Sequence, residues 1–202
     1  MQTSLDFEGR PHELLAHDGS AILYKDATES KRAAELYETL TNDLAWAERK
    51  VRVFGRWVAQ PRLTTWYGEP DRPYQYSGIE LQPLPWTAEL AWLRDICEHL
   101  AKARFNSVLA NLYRTGADSV SWHGDDEPEL GENPVIASVS LGGTRRFDLR
   151  HRETGETVKT LLTPGSVLVM SGQTQHKWLH QLPKTTQHVE PRINLTYRYI
   201  HG

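Results

Sequence analysis

The chain has 202 residues, 39% of them apolar, and a formal net charge of -3. That length is enough for one domain with a proper core, and the charge shows none of the basic excess usual in nucleic-acid binders. A mean hydropathy of -0.58, with no apolar run near the roughly 20 residues a bilayer demands, excludes a helical membrane span. One cysteine, Cys97, excludes an internal disulfide framework and fits a reducing compartment. The first residues, MQTSLDFEGR, lack the basic-then-apolar order of a signal peptide. The expected location is therefore cytoplasmic, or nuclear in a eukaryote, and not secreted.

Taken in order, residues 1–20 are polar and mixed and read as a loosely attached arm. Ala21 to Tyr24 reads as a short strand. Thr28 or Ser30 can cap the helix that follows, in which Ala33, Leu36, Tyr37, Leu40 and Leu44 recur at helical spacing. Val51 to Trp57 alternates and meets Gly55, as a strand entering a tight turn does. Pro61 to Gly78 is rich in proline, glycine and aromatics and reads as a loop or loop-bounded hairpin. Its Trp66, Tyr67, Tyr74 and Tyr76 are either packed on the core or form a lid on which an extruded base stacks. Thr87 caps a second helix whose stripe is Leu90, Leu93, Ile96, Cys97 and Leu100, so Cys97 is expected to be buried and inert.

From Phe105 the period changes to two. Seven strands are predicted: 107–114, 136–141, 145–151, 157–162, 166–170, 177–181 and 192–200. Gly142-Gly143, Thr154-Gly155 and Pro164-Gly165 mark turns between them. Short strands at this density, after two helices, predict an α+β fold that is mainly β. The expected form is a double-sheet jelly roll with the helices packed on one face.

Two stretches carry candidate chemistry. In Asn111 to Asp126, NLYRTGADSVSWHGDD, His123 and Asp125 form His-x-Asp. In extended chain both side chains share a side, and with one distant histidine they make the 2-His-1-carboxylate set of a mononuclear iron(II) site. The third ligand is His176, His180 or His188. His180, at the end of a strand stopped by Pro183, is preferred. If His176 lay in the same strand it would be about 13 Å away and unable to share the ion. In the last strand Arg192, Asn194, Thr196 and Arg198 fall on one face. Two arginines on an inward face need anionic partners. The alternatives are an exposed edge strand and a pocket for a dicarboxylate, which Asn111 and Tyr113 would also serve.

Together, N-x-Y, W-H-x-D-D-E, I-A-S-V-S-x-G, H-x-L-P and P-R-x-N-L-T-x-R resemble the AlkB family of Fe(II)/2-oxoglutarate-dependent nucleic-acid dealkylases. The similarity runs from about Val53 to Tyr199 and leans to the branch of the second and third homologues. The resemblance implies a single catalytic domain over residues 1–202, with a nucleotide-recognition lid at about 50–80 and the jelly-roll core at about 105–200. It implies His123, Asp125 and His180 as iron ligands. It implies Arg192, Tyr113, Asn111, Asn194 and Arg198 as the 2-oxoglutarate pocket. On the substrate side it implies Tyr74, Tyr76, Trp122, Asp126, Glu127 and a wedge residue, Phe54.

The implied reaction is oxidative removal of N-alkyl groups from bases such as 1-methyladenine and 3-methylcytosine, using dioxygen and 2-oxoglutarate. The partner is alkylated DNA or RNA, with a lean toward single strands, and a monomer is expected. Arg52, Arg56, Arg62, Arg145, Arg146, Arg150 and Arg152 are candidates for a local basic rim. The rival readings are an oxygenase acting on a protein or small molecule, and a binding module without catalysis.

Overall fold

The period-two segments become strands because each has one face turned to a core, and a two-residue period is the only way to keep it there. In the computed structural model the described residues are 10–53, 56–70, 74–76 and 79–201, with the backbone alone described at 51–53, 74–76 and 79–81. The elements run β1 (His12–Glu13), β2 (Ser20–Tyr24), α1 (Ser30–Asp43), β3 (Ala47–Val53), β4 (Arg56–Gly68), β5 (Tyr74–Tyr76), β6 (Ile79–Leu81) and α2 (Ala88–Ala101). There follow β7 (Ser107–Tyr113), β8 (Val120–His123), β9 (Ile136–Gly142), β10 (Arg145–His151), β11 (Thr157–Leu162), β12 (Val167–Ser171), a single helical turn α3 (Thr174–Lys177), β13 (Trp178–Leu182) and β14 (Arg192–Arg198).

The strands form a major sheet ordered β1-β2-β12-β9-β14-β7-β4-β3 and a minor sheet ordered β11-β10-β13-β8, with β5 and β6 as a separate pair. Neighbours within the named strands are antiparallel. This is the expected mainly β jelly roll. Both helices lie against the major sheet. Leu36 and Leu40 of α1 and Leu90, Leu93 and Cys97 of α2 share one buried cluster with Val108, Ala110, Val139, Leu141, Ile193, Leu195 and Tyr197. A second cluster, between the sheets, joins Leu23, Ile136, Phe147, Leu149, Leu168, Met170 and Trp178. The alternation in β14 is therefore a division of labour. Ile193, Leu195 and Tyr197 face the helices, while Arg192, Asn194, Thr196 and Arg198 face the space between the sheets.

Four expectations change. The arm is tied down from residue 12: β1 pairs with β2, Leu15 is buried, and the Glu13 carboxylate accepts from the Ala21 and Leu15 amides and the Ser20 hydroxyl. Residues 61–68 are strand, not loop, because Leu63 to Gly68 extend the major sheet beside Leu112 to Ser107. Pro61 is tolerated at a register shift of the β3–β4 ladder, and its carbonyl accepts the Ser119 amide. Trp66 and Tyr67 are therefore buried structural residues. The first helix is preceded by Glu29 rather than capped by Thr28 or Ser30, and no side chain caps its end. Residues 174–177 are helical, so the strand predicted from 177 begins at Trp178. Thr87 does cap α2, accepting the Leu90 amide. Residues 1–9 and the predicted turn at Phe54-Gly55 lie outside the described residues.

Candidate active site

The two sheets part at one end around a cavity of about 520 Å³. Its floor is the polar face of β14 with Asn111 and Tyr113 of β7, Ser138 of β9 and Arg62 of β4. The facing wall is the minor sheet, with His123 and Val120 of β8, Phe147 of β10, and His180 and Leu182 of β13.

Register brings the metal-competent residues together. His123 and His180 are directly paired across β8 and β13, so their rings stand on the same face with centroids 4.2 Å apart. Asp125 follows His123 just past the strand end. Ligand atoms of the three lie within 4.8 Å of one another, close enough for one ion. His123 donates from Nδ1 to the Ser121 carbonyl at 2.8 Å, which leaves the Nε2 lone pair facing Asp125. Asp125 is buried, and desolvation alone would raise its pKa. The nearby Arg198 guanidinium and the two imidazoles outweigh this and hold it down at about 2, so it is an anion. Its backbone amide donates to the side chain of the fully buried Gln175 on α3 at 3.0 Å.

A second His/Asp group, His17, Asp18 and His151, also gathers ligand atoms. There the Thr154 amide donates to His151 Nδ1 at 3.1 Å. Its Nε2 lies 3.3 Å from Asp18 Oδ2 but makes no hydrogen bond among the described residues. His17 and Asp18 of this group are exposed, and none of the three lines the cavity.

His176, the competing third ligand, sits on α3 with its ring against the Glu132 carbonyl. His188 is exposed beside Glu190. Neither lines the cavity. His176 is excluded by the helical turn and not by the strand spacing assumed from sequence.

Arg192 lies deep in the floor, 2% exposed. It donates to Ser140 Oγ at 2.8 Å, but its Nε has no hydrogen-bond partner and no carboxylate pairs with it among the described residues. Burial pulls its pKa down to about 10. Arg198 differs, donating to Asp125 at 2.7 Å. Asn194 donates to Ser138 Oγ and accepts from Thr196, so its amide is engaged by the floor itself. Arg62 donates from Nε to Asn111 Oδ1 at 2.8 Å.

Of the predicted substrate-side residues, Glu127 lines the cavity and its buried Oε2 lacks a hydrogen-bond partner among the described residues. Asp126 is exposed and takes Arg152 at 3.2 Å. Trp122 does not line the cavity. Alternation turns it to the outer face of the minor sheet, under the Arg150 guanidinium at 4.3 Å. Phe54 and the Tyr74 and Tyr76 side chains lie outside the described residues.

The predicted basic rim divides. Arg145 is buried and donates to the Thr115, Asp118 and Pro183 carbonyls, and Arg62 is buried in the site. Arg146 faces solvent beside Asp148. Sequence reasoning passed over Ser138 and Ser140, whose signal was two serines at alternate positions of an apolar strand. It also passed over Gln175 and the exposed Val58 at the cavity.

The arrangement has the ligand set of a metal-dependent oxygenase beside a floor that carries a buried arginine, and the comparisons give the same class. The profile of the 2OG-Fe(II) oxygenase superfamily matches residues 20–198. The human alpha-ketoglutarate-dependent dioxygenase alkB homolog 3 is 43% identical over 189 residues, covering 89% of this chain and 65% of that protein. Mouse DNA oxidative demethylase ALKBH2 is 40% identical over 191 residues, covering 89% of this chain and 78% of that protein. The solved structure of OsALKBH1 superposes with a TM-score of 0.62 at 14% identity, covering 93% of this chain and all of that one, which is a likeness of fold. The chain belongs to the AlkB family of 2-oxoglutarate- and iron-dependent oxygenases. It spans 65% of the length of its human alkB homolog 3 relative.

Proposed function

We propose that this protein removes alkyl groups oxidatively from N-alkylated bases of DNA or RNA, with iron(II), dioxygen and 2-oxoglutarate. The observation that carries the reading is the buried Arg192, paired with no carboxylate among the described residues, in the same cavity as the His123–Asp125–His180 cluster. A buried cation of this kind calls for an anionic ligand, and two histidines with one carboxylate suit iron(II) with positions left open.

His123, Asp125 and His180 hold the iron, and the bound metal supplies the oxidation of the N-alkyl carbon. The rest falls to this chain's own groups. Arg192 takes the distal carboxylate of 2-oxoglutarate, with the Tyr113 hydroxyl and the Asn111 amide beside it. Arg198 neutralises and orients Asp125, and Gln175 holds that residue's backbone. Ser121 sets the His123 tautomer. Leu109, Phe147, Met170 and Leu182 line the cavity with apolar surface and limit water. Glu127 faces the base. Val58, 48% exposed at the cavity's edge, offers apolar surface to a neighbouring base. A damaged base that pairs poorly is cheaper to extrude, which favours the lesion over intact sequence. Single strands as preferred substrate, a monomeric enzyme and an intracellular setting complete the reading.

The test is incubation with iron(II), ascorbate, 2-oxoglutarate and oligonucleotides carrying 1-methyladenine or 3-methylcytosine, single- and double-stranded, followed by mass spectrometry. Loss of one methylene mass that requires 2-oxoglutarate is expected, faster on single strands. Succinate formed with every oligonucleotide left unchanged would move the activity to another substrate class. Light scattering reads the oligomeric state.

A further inference from the structure

Asn111 and Asn194 are directly opposite in the β7–β14 ladder, yet their amides are held differently. Asn194 spends its amide on Ser138 and Thr196. Asn111 has its Oδ1 taken by Arg62 Nε at 2.8 Å, and its Nδ2 has no acceptor among the described residues. A guanidinium can only donate. The Asn111 amide is therefore oriented by chemistry: the oxygen must face Arg62, and the NH₂ group is left for the cavity that Asn111 lines. Arg62 is itself 5% exposed and held in place by the Ser119 carbonyl. It reaches Asn111 from β4, a strand that carries none of the proposed iron or cosubstrate ligands.

We infer that Arg62 is a positioning residue for cosubstrate recognition, locking Asn111 as a pure donor toward an acceptor-only ligand. With Arg62 in place, Arg192, Tyr113 and Asn111 present only donors to a carboxylate. Without it the amide can turn, put its oxygen toward the carboxylate and repel it. This inference rests on the 2-oxoglutarate reading of the cavity and adds a residue to it.

The experiment measures binding, not turnover: calorimetric titration of 2-oxoglutarate into the zinc-loaded protein, for the wild type, Arg62→Met, Arg62→Lys, Asn111→Ala and the double variant Arg62→Met/Asn111→Ala. Circular dichroism and zinc content check each fold. Arg62→Met should weaken 2-oxoglutarate about tenfold, as loss of one charge-opposed donor does. Asn111→Ala should do the same, and the double variant should be no worse than either single one, because both remove the same interaction. Arg62→Lys, which keeps a donor of less suitable shape, should fall between and covers the case in which Arg62→Met does not fold. Additive losses, or unchanged affinity in Arg62→Met or Arg62→Lys, overturn the inference while the cosubstrate reading stands. No 2-oxoglutarate binding by the wild type overturns both. Unchanged 2-oxoglutarate affinity with a raised KM for oligonucleotide would reassign Arg62 to the nucleic acid.

Discussion

Arg192 and Tyr113 stand directly opposite one another in the β14–β7 ladder, with the guanidinium carbon 5.5 Å from the ring centroid. The aromatic face softens the cost of burying a cation that has no carboxylate beside it among the described residues, but does not remove it.

Arg192→Met should therefore separate fold from function. The ligand-free protein should gain stability, because an uncompensated buried charge is replaced by an apolar side chain of similar length. Its Kd for 2-oxoglutarate should rise about 10- to 100-fold as a charge-assisted pair is lost. Thermal shift with and without 2-oxoglutarate reads both effects. A fall in ligand-free Tm with an intact cosubstrate shift would show that Arg192 is structural.

His180→Ala should abolish tight zinc or cobalt binding, since its ring is one of three ligand groups, two imidazoles and a carboxylate, that share a point. His176→Ala should leave it, since that ring faces the Glu132 carbonyl from α3. Metal content after gel filtration distinguishes the two, and a reversed pattern would reassign the third ligand.

Arg145 and Arg146 are neighbours with opposite fates. Arg145→Gln leaves three backbone carbonyls short of a charged donor and should cost about 3 kcal/mol in urea denaturation. Arg146→Gln with Arg150→Gln removes an ion pair to the buried Asp148 and the guanidinium over Trp122 and should cost less, about 1 kcal/mol. The same pair should lower the salt dependence of oligonucleotide binding by about one to two units of slope. An unchanged slope would remove this face from the phosphate path.

The docked arm should loosen with rising pH. The His17 ring lies between the Glu156 and Asp18 carboxylates at 3.0 Å each, with His151 and Trp178 packed beside it. Glu156 first and Asp18 second raise its pKa above the usual 6.5. A raised folded pKa means the clamp is fully present below about 6.5 and is lost as pH climbs through the higher folded value. Amide exchange at Leu14 and Ala21 should therefore lose protection above that point, beyond the intrinsic rise, and His17→Gln should flatten the difference. Equal protection across the window in both proteins would discard the clamp.

Much was legible in one dimension. Alternation in 105–200 marked the strands, since a buried sheet face repeats every second residue whatever its partner. The polar phase of Arg192, Asn194, Thr196 and Arg198 marked a shared face for the same reason, and left open whether that face was an exposed edge or a pocket. His123 and Asp125 were readable as a pair because two residues in extended chain share a side.

What pairing decided was invisible to such patterns. The β8–β13 register sets His180 against His123 and withdraws His176 into a helical turn. The β3–β4 register shift lets a proline-bearing segment join the major sheet, which carries Arg62 onto Asn111 and buries Trp66. Trp122, next to a candidate ligand in sequence, faces away from it in space. Periodicity says which residues share a face. Which face meets which depends on contacts between strands tens of residues apart, and only the assembled sheets contain those.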